Sequence, residues 1–186
     1  SAASTTVANN LTVRGNSLYT IVDGPSWTQA EANAVKLGGH LVTVGDIGEN
    51  IFVGSAFGNL PSTSQDGLSL FIGYTDQSNE GKWTWIDGSS SIFTNWNSGE
   101  PNNGNGNIEE DFASIFPGTQ KYGVPGKWND TPGNIPSENK GIAETSFIRR
   151  GNSAYVIVQG PTWEEAEANA VKLGGHLVTI NDAAEN

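Results

Sequence analysis

The sequence predicts an α+β fold: two capped helices near the start, followed by many short strands on long loops. Three observations carry that expectation. Residues 11–22 alternate apolar and polar side chains around the turn signal Arg14-Gly15-Asn16-Ser17. Two helix-start signatures come next, Ser26 with Gln29 and Asp46 with Glu49, each an oxygen-bearing cap with Glu or Gln three residues on. Beyond the second helix, short β-rich runs alternate with stretches rich in Gly, Asn and Pro.

Taken in order, the elements follow from local chemistry. From Ser26 a helix runs to about Leu37, with Trp27, Ala30, Ala34 and Leu37 on one face. Gly38-Gly39 ends it, because Gly adopts the left-handed cap conformation without a Cβ penalty. Leu41-Val42-Thr43-Val44 reads as a short strand, and Asp46 opens a second helix towards Phe57. The later strands are Leu70-Phe71-Ile72-Gly73-Tyr74, Trp83-Thr84-Trp85-Ile86, Phe112-Ala113-Ser114-Ile115, Gly126-Lys127-Trp128 and Gly141-Ile142-Ala143-Glu144.

Composition narrows the function. The 186 residues carry 20 acidic and nine basic side chains, a formal net charge of −11. Nucleic acid is therefore a poor partner, since phosphate backbones are held by Lys and Arg. The charge suits cation binding, or simply a solvated acidic surface. With no Cys, the chain has no disulfide, zinc thiolate, iron–sulfur cluster or Cys nucleophile. No stretch approaches the roughly 18 consecutive apolar residues of a membrane span, so membrane insertion is not expected. The first residues, Ser1-Ala2-Ala3-Ser4-Thr5-Thr6, read as a cut inside a longer protein rather than an intact signal peptide.

An internal repeat organises the chain. Residues 15–50 match residues 151–186 without a gap, at 26 of 36 positions. The expected division is an N-terminal extension over 1–10, one domain over 11–146, and the first part of a second, truncated repeat over 147–186. The second copy keeps the helix cap as Thr162 with Glu165, and is expected to keep the strand as Leu177-Val178-Thr179-Ile180.

Two short strings carry the chemistry: Glu100-Pro101-Asn102 and Trp128-Asn129-Asp130. Each offers side-chain oxygens at close spacing. A hard cation such as calcium takes about 6–8 oxygen ligands, which two converging loops can supply. Glu100, Glu110 and Asp130 would bring three negative charges together, with Asp76, Glu80, Glu109 and Asp111 adding more. Such a cluster repels itself when empty, and a divalent ion bound only to the folded state would stabilise the fold.

The order of capped helix, Gly-Gly-His-Leu, Phe71-Ile72-Gly73-Tyr74, Glu-Pro-Asn, Trp-Asn-Asp and terminal strand resembles the C-type lectin-like domain over residues 15–145. The resemblance implies a double-loop fold whose two ends pair as neighbouring strands, with a long calcium-binding loop. It implies a principal calcium site at Glu100, Asn102, Glu110, Asn129 and Asp130, with Pro101 cis. It implies an auxiliary site at Asp76, Glu80, Asn103 and Asp111, sharing Glu110, with Glu109 an alternative to Glu110. Asn103 stands where the family often has Asp.

The same resemblance implies that the five principal residues also bind carbohydrate. Vicinal sugar hydroxyls would coordinate calcium, donate to the carboxylates and accept from the Asn amides. The Glu-Pro-Asn order goes with the mannose, fucose, glucose or N-acetylglucosamine group rather than galactose. Family members with two disulfides place cysteines at positions matching Ala34, Phe112, Ala143 and a fourth in the loop after Asp130. Cysteine-free versions fit a bacterial surface protein, so an extracellular or cell-surface adhesin is expected. The other reading is a structural repeat of a filament or stalk, in which calcium only stabilises the fold and 147–186 mediates head-to-tail self-association.

An enzyme is not expected. His40 and His176 occupy one position in two repeats, at a helix–strand junction, and read as structural. No nucleophile elbow, His-Glu-x-x-His or phosphate loop is present.

Overall fold

The computed structural model describes residues 10–60, 68–106, 108–118, 124–134, 140–181 and 183. Of the expected extension over 1–10, all but Asn10 lies outside the described residues. The chain opens with a hairpin, β1 (Leu11–Arg14) and β2 (Ser17–Asp23), turning at Gly15. Helix α1 (Trp27–Lys36) follows, then β3 (His40–Leu41) and helix α2 (Ile47–Ala56). Next come β4 (Leu70–Thr75), β5 (Thr84–Trp85), the single-turn α3 (Asn103–Gly106), β6 (Phe112–Ile115), β7 (Trp128–Thr131) and β8 (Lys140–Ser146). Both expected caps form: Ser26 accepts from the Gln29 amide and Asp46 from the Glu49 amide.

The main sheet runs β1-β2-β8-β4-β6-β7. The two ends of the domain pair: β2 and β8 are antiparallel over seven residues, from Ser17 against Ser146 to Asp23 against Lys140. Phe71 then joins β4 to β8 in parallel, at Gly141. The architecture is the α+β arrangement expected.

Two apolar clusters lie against this sheet. In one, Trp27, Ala30, Ala34 and Leu37 of α1 pack on Val22, Leu41, Phe71, Phe112 and Ala143. The Trp27 indole donates to the Ile72 carbonyl at 2.8 Å and stacks on Phe112. Ala34, Phe112 and Ala143, which the resemblance matches to cysteines of other family members, share one apolar cluster. Phe112 also covers Gly133, in the loop after Asp130: a Cβ there would come within 2.3 Å of the ring. An aromatic–glycine contact joins these two segments.

The second cluster gathers Tyr19, Val42, Val44, Val53, Ile72, Ile115 and Ile142 around Trp128, which is fully buried. Asn50 of α2 secures it. Its Oδ1 accepts from the Trp128 indole at 2.8 Å, and its Nδ2 donates to the Gly126 carbonyl at 2.9 Å.

Four strand expectations need correction. The strand over 41–44 is only His40–Leu41. Val42 instead divides its bonds, donating to the Ile142 carbonyl and accepting from the Gly73 amide. The strand over 83–86 shortens to Thr84–Trp85, entered from the turn that Lys82 closes on Asn79. The strand over 126–128 shifts to Trp128–Thr131, because Gly126 turns at φ +75°. Residues 177–180 form no strand: His40 and Leu41 pair with β8, and the second copy has no such partner among the described residues. That copy does form a hairpin, β9 (Ile148–Arg150) with β10 (Ser153–Tyr155), and the capped helix α4 (Trp163–Lys172).

Asn50→Ala leaves the buried Trp128 indole without its partner, while the Gly126 carbonyl keeps the bond from Asn95 Nδ2 at 2.7 Å. An unsatisfied buried polar group costs about 1–3 kcal/mol, so we expect a loss of that size in urea unfolding.

Candidate functional site

The candidate site sits where the loop over 95–111 meets β7. The loop is laced to the strand on both sides of Trp128. The Trp128 amide donates to the Asn95 carbonyl at 3.1 Å, and the Asn97 amide donates to the Trp128 carbonyl at 2.8 Å. Lys127 adds a bond from Nζ to Asn95 Oδ1 at 2.8 Å. The chain then turns through Gly99 and the cis Glu100–Pro101 bond.

Asp130 is the centre of the arrangement. It is buried, and its Oδ2 accepts from two successive amides, Asn102 at 2.8 Å and Asn103 at 2.7 Å. Asn103 has φ +49°, a left-handed conformation that Asn tolerates better than most side chains. This bend aims both amides at one oxygen. Asp130 Oδ1 is buried and meets no hydrogen-bond donor. The Glu100 carboxylate lies beside it, and Asn102 Nδ2 donates to Glu100 Oε2. Desolvation, then the neighbouring Asp130 and Glu110 carboxylates, push the Glu100 carboxyl up to about 7.

Glu110 closes the other side. Its Oε2 accepts from the Gly104 amide at 2.5 Å, and its amide donates to Asn103 Oδ1 at 2.6 Å. Glu109 turns the opposite way, to Asn103 Nδ2 at 3.3 Å, where Glu80 Oε1 accepts from the same nitrogen at 3.1 Å. The two neighbouring acids therefore face different groups of carboxylates.

The second group is Asp76, Glu80 and Asp111, whose carboxylate oxygens lie within 4.8 Å of one another. Asp76 directly follows β4, and its amide donates to the Asp111 carbonyl at 3.1 Å. Asp76 Oδ2 accepts from the Gly81 amide at 2.9 Å, while its buried Oδ1 meets no donor. Burial raises the Asp76 carboxyl above its ordinary value, with Asp111 and Asp130 adding to the shift. Glu80 is raised by desolvation, then by Asp76, Glu109, Asp111 and Asp130. Asp130 acts on both groups, so they form one electrostatic cluster.

Eight of the nine residues read from the sequence come together here: Glu100, Asn102, Glu110 and Asp130 on one side, Asp76, Glu80 and Asp111 on the other, with Asn103 between. Asn129 does not join them through its amide, which donates to the Asp130 carbonyl at 2.6 Å.

The residues fit a divalent cation. Two buried carboxylate oxygens without donors, each beside further carboxylates, are what an ion would satisfy. All the side chains offered are hard oxygen donors, suited to calcium. Bound calcium would relieve the mutual repulsion of these carboxylates and leave coordination positions for outside oxygens.

Sequence reading missed one cluster. The Tyr19 hydroxyl donates to Glu49 Oε1 at 2.6 Å and also faces Glu144 Oε1 at 3.1 Å. Burial, followed by these two carboxylates, raises the Tyr19 pKa far above its ordinary value. The group ties β2, α2 and β8 together. Its members lie 30 and 125 residues apart, so no local pattern marks it. His40 bonds Glu31 at 2.6 Å, and Glu31 also holds the Leu41 amide at 2.8 Å; this position locks a helix to a strand.

Comparison with known proteins follows the same lines. The family profile described as Lectin C-type domain matches residues 23–138. Hepatic lectin of Gallus gallus is 32% identical over 118 residues, covering 62% of this chain and 49% of that protein. C-type mannose receptor 2 of Homo sapiens is 30% identical over 176 residues, covering 86% of this chain and 11% of that protein. Among solved structures, the human scavenger receptor C-type lectin carbohydrate-recognition domain matches with a TM-score of 0.58 and 25% identity, over 74% of this chain and 96% of that one. The chain spans about half the length of the hepatic lectin and a small part of the receptor. The matched proteins are binding proteins rather than enzymes, and this chain is likewise not an enzyme. The chain belongs to the C-type lectin domain family.

Proposed function

We propose that residues 11–146 form a calcium-dependent carbohydrate-binding module of a repetitive extracellular or cell-surface protein. The observation that carries this reading is Asp130. One of its oxygens holds the loop by two amides, and the other lies buried beside Glu100 with no donor. Calcium would be held by Glu100, Asn102, Glu110 and Asp130, with Asn129 drawn in through its side-chain oxygen. Asp76, Glu80, Asn103 and Asp111 would hold an auxiliary ion. The Glu-Pro-Asn order favours a mannose, fucose, glucose or N-acetylglucosamine ligand, in keeping with the name of the mannose receptor that it resembles. An adhesin is the use most consistent with a repeated lectin domain. The absence of cysteine favours a bacterial surface protein, although the hepatic lectin and the mannose receptor are animal proteins. No described helix is long and apolar enough to cross a membrane.

A second reading has one observation of its own: Trp163 in the second copy is uncovered, 67% exposed. On that reading the chain is a filament or stalk repeat in which calcium only stabilises the fold, and residues 147–186 join copies head to tail. A glycan array run with and without chelator separates the two. Retention of mannose-type glycans that chelator abolishes supports the lectin; no calcium-dependent retention leaves the stalk.

Calcium at about 100 times its Kd stabilises a one-site protein by about 2.7 kcal/mol, so we expect Tm to rise by about 5–10 °C. Glu100→Gln with Asn102→Asp should abolish or redirect mannose-dependent heat in calorimetry. It should leave a calcium-dependent rise in Tm if the auxiliary ion binds independently.

The pH dependence follows from Glu100. Its folded-state carboxyl titrates near 7, above its ordinary value of 4.5. The folded state therefore binds this proton more tightly than the unfolded chain does. In chelator, stability falls as pH rises from about 4.5 to about 7 and levels off above. Calcium favours the ionised form, so in millimolar calcium the decline should vanish. Calorimetric melting across pH 4.5–8, with and without chelator, measures both curves.

A further inference from the structure

Asn103 touches both groups of carboxylates. Its side-chain oxygen accepts from the Glu110 amide, and its side-chain nitrogen reaches Glu80 and Glu109. The residue after it is Gly104. An Asn followed by Gly carries a reaction of its own. The next residue's backbone nitrogen can attack the side-chain carbonyl carbon and close a succinimide ring. Gly permits this most readily, because it has no side chain to restrict its backbone. The sequence holds two such pairs, Asn103-Gly104 and Asn105-Gly106.

What marks the first pair is its surroundings. The Gly104 amide donates to Glu110 Oε2 at 2.5 Å, so the hydrogen that must leave the attacking nitrogen already lies on a carboxylate. The Glu110 amide donates to Asn103 Oδ1 at 2.6 Å. That bond polarises the carbonyl under attack and stabilises the negative charge that develops on its oxygen. One residue, Glu110, therefore acts on both the nucleophile and the electrophile of this reaction.

We propose that Asn103 is a self-modification site: it deamidates in the folded protein to aspartate, and the new carboxylate joins Asp76, Glu80 and Asp111 in holding the auxiliary calcium ion. The Gly104 nitrogen bonds to Asn103 Cγ and gives its proton to Glu110. The bond from Cγ to Nδ2 breaks, and the nitrogen leaves as ammonia, taking a proton from solvent as Glu110 returns one. Water then adds to Cγ and breaks the bond from Cγ to the Gly104 nitrogen. The Glu110 amide polarises the side-chain carbonyl, so water is directed there rather than to the main-chain carbonyl. The product is ordinary aspartate, not isoaspartate. Its effect follows from charge. Asp76, Glu80 and Asp111 already bring three carboxylates within 4.8 Å of one another. Asn103 bonds Glu80, so a carboxylate there adds a fourth charge to the group, and calcium sites gain affinity with ligand charge. This effect rests on the calcium reading above; the deamidation itself does not.

The test follows the freshly purified 186-residue chain in chelator, by peptide mapping with electron-transfer fragmentation, which tells aspartate from isoaspartate. In the folded chain Asn103 should convert about tenfold faster than Asn105. In urea, where only the shared Asn-Gly chemistry remains, the two should convert at similar rates. Glu110→Gln, if its amide signals show it folded, should slow Asn103 to the rate of Asn105. Conversion of Asn103 no faster than Asn105 in the folded chain, or isoaspartate as the main product, overturns the modification. Calorimetry with calcium alone then compares the fresh chain with Asn103→Asp. The substitution should tighten one calcium-binding step by about tenfold, and Asp76→Asn should abolish that gain. Equal affinities overturn the role given to the new carboxylate. No calcium heat from either chain overturns the calcium reading, while the conversion stands or falls on the first measurement.

Discussion

The Asp130 carboxylate is the constraint on which the rest of the site depends. It is buried at the centre of β7 and takes the amides of Asn102 and Asn103 on one oxygen. Those two bonds bring the loop tip to the strand. Without them Glu100, Glu110 and the Asn side chains would have no common focus. The carboxylate is in turn placed by Trp128, whose indole is fixed by Asn50 from α2 and whose backbone is laced to Asn95 and Asn97. Rigid packing of Trp128 thus sets the geometry of a polar cluster two residues further along the strand. Such a cluster is costly in isolation, since buried carboxylates without donors or counter-charges oppose one another. A divalent cation is the simplest species that makes the arrangement favourable.

Much of this was legible in the sequence because the informative features are local. The helix caps at Ser26, Asp46 and Thr162 are four-residue signals, and all three form. The ends of the domain pair as the family resemblance implied. Eight of the nine proposed site residues converge because two short strings and their acidic neighbours carry them. What escaped the sequence depends on distant partners. The strand over 177–180 fails to form although its residues nearly repeat 41–44, because strand formation needs an edge to pair with. The Tyr19–Glu49–Glu144 group joins three elements far apart in the chain, and the register that aligns them is set only on folding.

The positions that the family resemblance matches to cysteines are occupied in this chain by packed side chains. Ala34 and Ala143 are fully buried in one cluster, and the Phe112 ring fills the space over Gly133. These contacts bury apolar surface where a bridge would otherwise restrict the unfolded chain. Packing of this kind is intolerant of volume change, so substitutions in the cluster around Trp27 should be costly. The same surface, duplicated around Trp163, is partly covered, through Ala170 and Leu173. One sequence motif therefore appears in two states of burial within one chain.

Terbium emission tests the central claim most directly, because Trp128 and Trp96 lie on or beside the strand that carries Asp130. With terbium added, excitation of tryptophan should give sensitised metal emission that calcium competes away and that Asp130→Asn reduces at least tenfold. Emission of equal strength in Asp130→Asn, or no sensitised emission from the folded wild-type chain, would contradict a metal held at Asp130.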